Sequence, residues 1–259
     1  AKYLGTHITA AGTLDNLIGY LAEEQPLSGN LNATADNMNL NDWIGTNSTD
    51  SVTTSVPPAG GRPFLVPPGI NFTINAGVNK ARYDKVDYNN INGAILVSDE
   101  KLTFQNIKAN ALEGNIMING SYSTLINKEK PDISLSYDIK DMDVQKAFYA
   151  YNTIQFLMPI GKFLAGKLQS QLSMTGNLDG MMMPILNSLS GKGNLLLLQG
   201  VLAKFAPLEK IAALLDIDRL KSISIKDIKN YIEFSNGRVM VKPFTVKVSD
   251  IEMEIAGFH

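Results

Sequence analysis

The sequence predicts a mainly β fold with short helices, an α+β chain whose long twisted antiparallel sheet curls into a half-barrel or groove, with the helices on its concave face or at its end. Three observations predict it. Apolar residues recur at every second position in segment after segment, which is the signature of strands with one buried face. An Asn-Gly pair joins two such segments, and the helical patterns are short and gathered in the second half. At 259 residues with 44% hydrophobic and 19% charged side chains, the chain can bury a large core and has no disordered-tail composition.

The first clear strand is 70–78, where Ile70, Phe72, Ile74, Ala76 and Val78 alternate with Asn71, Thr73, Asn75 and Gly77. The alternation returns at Ile91, Gly93, Ile95 and Val97, at Ile116, Ile118, Gly120 and Tyr122, and at Ile133, Leu135, Tyr137 and Ile139. Leu168, Ser170, Leu172 and Met174 follow, with Lys167, Gln169, Gln171 and Ser173 on the other parity. The tail reads as strands over 239–241, 244–248 and 251–255, and Asn236-Gly237 predicts a type I′ hairpin between 231–235 and 238–242.

Among the helical patterns, Asp143 can cap 144–151, whose Val144, Ala147, Phe148 and Tyr151 share one face. The apolar run 153–164 contains Pro159 and Gly161 and predicts a kink or two short pieces. Short helices are also expected at 184–189 and 207–215, each opened by a proline. Segment 46–61 is polar and ends in Pro-Pro and Gly-Gly, so it reads as a flexible loop separating two sheet portions. Its Asp50-Ser51-Val52 has the composition of an O-glycosylation tripeptide of bacterial envelopes. Trp43 reads as a packing residue at a strand end.

The composition excludes several functions. A net charge of −2 without a basic cluster gives no footprint for nucleic acid. No cysteine means no disulfide, no thiolate nucleophile and no cysteine-bound metal, and the two histidines, His7 and His259, stand at opposite ends of the sequence. In 36–42, Met38 and Leu40 occupy places where a calcium loop needs oxygen ligands. Glycoside hydrolysis would need two facing carboxylates, which spacing does not single out. No cofactor, no metal and no catalytic residue is assigned, and the chain is expected not to be an enzyme.

A unit is repeated. Thr9–Leu17 (TAAGTLDNL) aligns with 173–181 (SMTGNLDGM), and LSGNL at 27–31 follows the first as LSGKGNL at 189–195 follows the second. The stretch 166–257 then carries GKLQSQLSMTGNLDGMM, LSGKGNLLLLQGVL, helical LEKIAALLDI and YIEFSNGRVMVKPFTVKVSDIEMEIAG. In this order it resembles the C-terminal region of the AsmA-like family. The resemblance extends over 1–259 as one elongated, repeat-containing domain and is most specific in 166–257.

What the resemblance implies is a fragment of a larger protein held in the bacterial inner membrane by an N-terminal helix that these residues do not include, with the chain in the periplasm. It implies handling or transport of phospholipid or another acyl-chain lipid for outer-membrane biogenesis. The alternative is a structural scaffold that binds envelope proteins during outer-membrane assembly, through sheet edges. The expected lipid contacts are the apolar parity of the strands: Ile70, Phe72, Ile74, Ile116, Ile118, Ile133, Leu135, Leu168, Leu172 and Met174. A packed core would use the same parity. Met181-Met182-Met183 fits an adaptable surface or a loop folded over the core, and Phe148, Tyr149, Tyr151, Phe156 and Phe163 fit a membrane-facing or a core helix pair.

Overall fold

The computed structural model describes residues 2–3, 5–23, 25–44, 63–151, 154–155, 159–225, 228–248 and 251–258. The 46–61 loop with Asp50-Ser51-Val52, the side chain of Trp43, and Phe156 lie outside the described residues.

One open sheet dominates. Its strands are β1 (Lys2–Tyr3), β2 (Thr6–Asp15), β3 (Leu27–Asn39), β4 (Ile70–Tyr83), β5 (Val86–Ser98), β6 (Lys101–Ala111) and β7 (Gly114–Ser123) in the first half. β8 (Asp132–Asp143), β9 (Leu164–Asn177), β10 (Ser190–Ala203), β11 (Ser222–Ile225), β12 (Ile228–Ser235), β13 (Arg238–Val248) and β14 (Ile251–Phe258) complete it. Each strand lies beside its predecessor, except that β11 and β12 share the far edge of β10. The Asn-Gly hairpin forms between β12 and β13, with φ of 50° at Asn236 and 73° at Gly237, as a type I′ turn requires.

The sheet departs from a purely antiparallel one at a single junction among the described residues: β3 and β4 run parallel, Leu27 opposite Ile70 and Ala35 opposite Val78. A parallel neighbour needs a crossover rather than a hairpin, and the long 40–69 connection supplies it. The strands flanking 46–61 are therefore neighbours in one sheet, not members of separate portions.

Helices are short, as expected, but not all where the pattern put them. α1 (Leu17–Glu23) was not anticipated, and α2 (Leu40–Ile44) places Trp43 in a helix instead of a strand end. α3 (Val144–Ala150) starts where Asp143 accepts the Lys146 backbone N–H at 2.8 Å. Segment 159–163 is a 3₁₀ turn, in keeping with Pro159, and 184–189 contains only a 3₁₀ turn at Leu186–Ser188, because Pro184 forms a β-bridge with Leu178. α4 (Ala206–Leu215) has its proline in the first turn.

Two devices curl the sheet. Register shifts interrupt β5, β6, β8 and β10, and within them Asn90, Asn106, Asp141 and Gln199 adopt left-handed φ between 47° and 57°. Such bulges bend a strand and increase its local twist. Glycines supply the second device, on one face. A Cβ on Gly120 would overlap the carbonyl of Ser134, and one on Gly193 would sit 2.6 Å from the carbonyl of Gln171. Neighbouring backbone crowds that face. The opposite face carries amide ladders, with Asn90 donating to Asn110 (3.0 Å), Asn110 to Asn115 (2.7 Å) and Asn75 to Asn32 (3.0 Å). It is the solvated side.

Candidate functional site

Cross-strand partners point to the same side of a sheet, so register decides which residues share a face. One row runs unbroken through Gly12, Leu31, Ile74, Ile95, Phe104, Gly120, Leu135, Met174, Gly191, Phe234 and Val239. Its neighbour contains Ile118, Tyr137, Leu172, Gly193 and Ile232. On the other face the corresponding row reads Thr103, Ser121, Ser134, Thr175, Ser190 and Ser235. At about 4.8 Å per strand, an apolar trough of roughly 50 Å crosses the molecule perpendicular to its strands.

All ten residues expected from the sequence lie on this face, but not in one environment. Ile116 and Leu168 are buried in a packed cluster with Met142, Val144, Ala147, Leu197, Leu202, Ala212 and Ile223, under α3 and α4 at one lip of the trough. These two are core, a correction that follows from the helices folding over them. Ile118 packs against the same cluster. Ile133 packs against a second cluster at the opposite lip, built from Val66, Tyr122 and Leu178. Phe72, Ile74, Leu135, Leu172 and Met174 belong to neither cluster and are half-buried between the lips, and Ile70, likewise half-buried and in neither cluster, stands at the end of β4 beside the 67–69 connection.

Each lip is fastened by polar contacts. At the helical lip, Glu113 accepts from Lys146 of α3 (2.6 Å) and Lys167 of β9 (2.5 Å), and these two bonds hold its carboxyl down to a pKa of about 2. The Tyr88 and Tyr151 hydroxyls meet at 2.7 Å, and burial pushes both phenols up. At the other lip, a strap of 63–66 crosses the face: Tyr122 donates to the Phe64 carbonyl (2.5 Å) and the Val66 N–H donates to Thr124 Oγ1 (3.2 Å). Met182, with φ of 62°, turns inward and sets its sulfur 3.6 Å from the Tyr122 hydroxyl, a secondary acceptor beside the Phe64 carbonyl, while Met181 and Met183 turn outward. Of the methionine triplet, one side chain packs on the core and two face outward.

Within the trough, the buried side-chain polar atoms of the described residues all have partners. Ser170 donates to the Asn194 carbonyl at 2.9 Å and lies 3.3 Å from the Tyr137 hydroxyl, and burial raises the Tyr137 phenol. Phe148 and Ala147 are buried beneath the lip, whereas Tyr149 is exposed, so α3 is a core helix with one outward aromatic. Leu31, Ile95, Phe234 and Val239 join the row from strands outside the expected set, and the β6 residues were left out for a local reason. Leu102 and Phe104 share parity with each other but not with Ile107 and Ala109, because the bulge at Asn106 inserts one residue. The same inserted residue is the signal by which a period-two pattern with one slip would have been found.

No family model, curated protein or solved structure matches this chain.

Proposed function

We propose that the chain is a non-enzymatic, AsmA-like module of the bacterial envelope that holds acyl chains of phospholipid or a similar lipid in the trough. The observation that carries this reading is the continuous apolar row from β2 to β13 whose middle, among the described residues, has no strand or helix packed on it. One leaflet of a bilayer offers acyl chains of about 15 Å. The trough accommodates them lengthwise, and each methylene moved from water onto it contributes about 0.8 kcal/mol. An apolar side between two packed lips, backed by a solvated amide-ladder side, is the distribution that such a carrier needs. In this reading the native protein is anchored in the inner membrane and works on its periplasmic side in outer-membrane biogenesis.

The test is photo-crosslinking from Phe72 and Leu172 in the full-length protein, combined with native mass spectrometry of protein purified from bacterial membranes. Copurified phospholipid with crosslinks at both positions is the expected result. Probes at Thr73 and Gln171, on the opposite parity, should give none. Equal behaviour of both parities rejects the trough.

A scaffold that adds strands from envelope partners is the second reading. β1 pairs only with Thr6 and His7, so the outer edge of 9–15 has no strand beside it among the described residues.

A further inference from the structure

Exposed large apolar side chains gather at one lip of the sheet. Register places the connections 16–26, 67–69, 99–100, 124–131, 178–189 and 236–237 at the same strand ends. Ile18 (82% exposed) and Leu21 project from α1, Phe64 from the strap, Ile126 (85%) from the β7–β8 loop, and Met181 and Leu186 from the β9–β10 connection. These segments are remote in sequence. Water would drive such side chains into the trough they border, and local polar bonds prevent it. Asn16 ties both Gln25 (3.1 Å) and the Pro26 carbonyl (3.2 Å) around α1. Asn127 accepts the Glu129 and Lys130 N–H groups at 2.9 Å each, and Asp179 accepts those of Met181 and Met183, also at 2.9 Å. The tips are held out.

We infer that this lip is a membrane-docking edge, its tips inserting among the acyl chains of a phospholipid bilayer. A protein partner would need a compact patch of about 800 Å² rich in aromatic and arginine anchors. Here aliphatic and methionine tips, with one phenylalanine, Phe64, among them, are strung over roughly 35 Å of strand spacings, a line that meets a flat apolar layer. Charge selects the kind of bilayer. Lys101, Lys128, Lys130 and Arg238 are interleaved with Asp99, Glu100, Glu129 and Asp132, and Lys128 pairs with Glu100 at 3.3 Å, so no basic field faces the lipid. Zwitterionic phospholipid suffices. The opposite lip ends in α4, whose Leu214 is 84% exposed and provides an internal control.

The chain has no cysteine, so single cysteines at Ile18, Ile126, Met181 and Leu214 can each carry an environment-sensitive NBD dye. Mixed with phosphatidylcholine vesicles, the first three should brighten and shift to the blue, and Leu214 should not. The double variant Ile18→Gln/Ile126→Gln, at exposed positions that leave the thermal midpoint unchanged, should lose vesicle binding roughly tenfold or more. Silent lip probes, an equal response at Leu214, or binding that appears only on phosphatidylglycerol-rich vesicles overturns the inference. So does a response that tracks protein concentration without vesicles, which would mean a second copy occupies the lip. Failure of the trough is read separately, by the Phe72 and Leu172 crosslinks, and leaves this edge standing if the dyes respond.

Discussion

Tyr137 stands directly opposite Leu172 across the β8–β9 ladder, and its hydroxyl reaches 3.3 Å from Ser170 Oγ on the same face. Ser170 spends its own proton on the Asn194 carbonyl, so the tyrosine, a neutral phenol whose ionisation burial disfavours further, is the donor of the pair. The two substitutions are therefore unequal. Tyr137→Phe removes a terminal donor and should cost about 0.5–1.5 kcal/mol, whereas Ser170→Ala strands two groups and should cost about 1–3 kcal/mol. Urea unfolding of both variants measures the difference, and an equal cost would mean that the chain of bonds does not run in this direction.

Curvature makes a second prediction, on glycines of opposite faces. Gly193 faces the trough, where an added methyl meets the Gln171 carbonyl at 2.6 Å and Leu172 Cδ1 at 2.8 Å, so Gly193→Ala should destabilise by about 1–3 kcal/mol. Gly77 lies on the solvated face with only Thr34 Cγ2 nearby, at 3.7 Å, and Gly77→Ala should stabilise by about 0.4–1 kcal/mol through the unfolded chain. Thermal midpoints moving in the same direction for both would remove the assignment of the crowded face.

These faces were largely legible in the residues. Strict alternation at Ile70 to Val78 and at Ile133 to Ile139 fixed which side chains share a surface, and Asn236-Gly237 fixed one hairpin, because both are local consequences of the pleat and of φ. What was hidden is non-local. The β6 face was masked by the inserted Asn106, the parallel β3–β4 pairing depends on a crossover that no local pattern encodes, and the burial of Ile116 and Leu168 depends on where α3 and α4 come to rest. The aligned repeat units are both hairpins of this sheet, β2–β3 and β9–β10, and in each the Gly-x-Leu glycine, Gly12 or Gly176, points into the trough. Yet their registers differ: Ser28 pairs with Asp15, while Ser190 pairs with Thr175, because the connectors are not equivalent.

Acid should loosen the helical lip first. Glu113 ionises near pH 2 in the folded chain against an ordinary 4.5, held there by Lys146 and Lys167. A carboxyl with a depressed folded pKa contributes its full stabilisation above the ordinary value and loses it as pH falls toward 2. Its partner Lys146 is raised by the same bond, so that contribution holds below the ordinary lysine value and fades only in strong alkali. Wild type should be more stable than Glu113→Gln at neutral pH, and the gap should close between about pH 4.5 and pH 2. Hydrogen exchange of α3 amides across this range reports the lip itself. A gap independent of pH would assign the effect of the variant to packing instead of charge.

The contrast between covered lip and open middle gives the last prediction, on two methionines of one face. Met142 is 2% exposed among Ile116, Val144 and Leu168, so truncation to alanine leaves a cavity that rigid neighbours cannot fill and should cost about 2–5 kcal/mol. Met174 lies opposite Leu135 in the middle of the trough, half-buried and outside both clusters. Its side chain already meets solvent in the free protein, so Met174→Ala opens no closed cavity and should cost about 1 kcal/mol or less by the area it covers. Binding of an acyl chain reverses the order. A lysophospholipid that occupies the trough should raise the unfolding midpoint of wild type and Met142→Ala alike, and raise that of Met174→Ala by less, because the missing thioether is part of the surface the chain would cover. A cost for Met174→Ala as large as that for Met142→Ala, with no midpoint shift on adding lysophospholipid, would mean that the middle of this face is closed core.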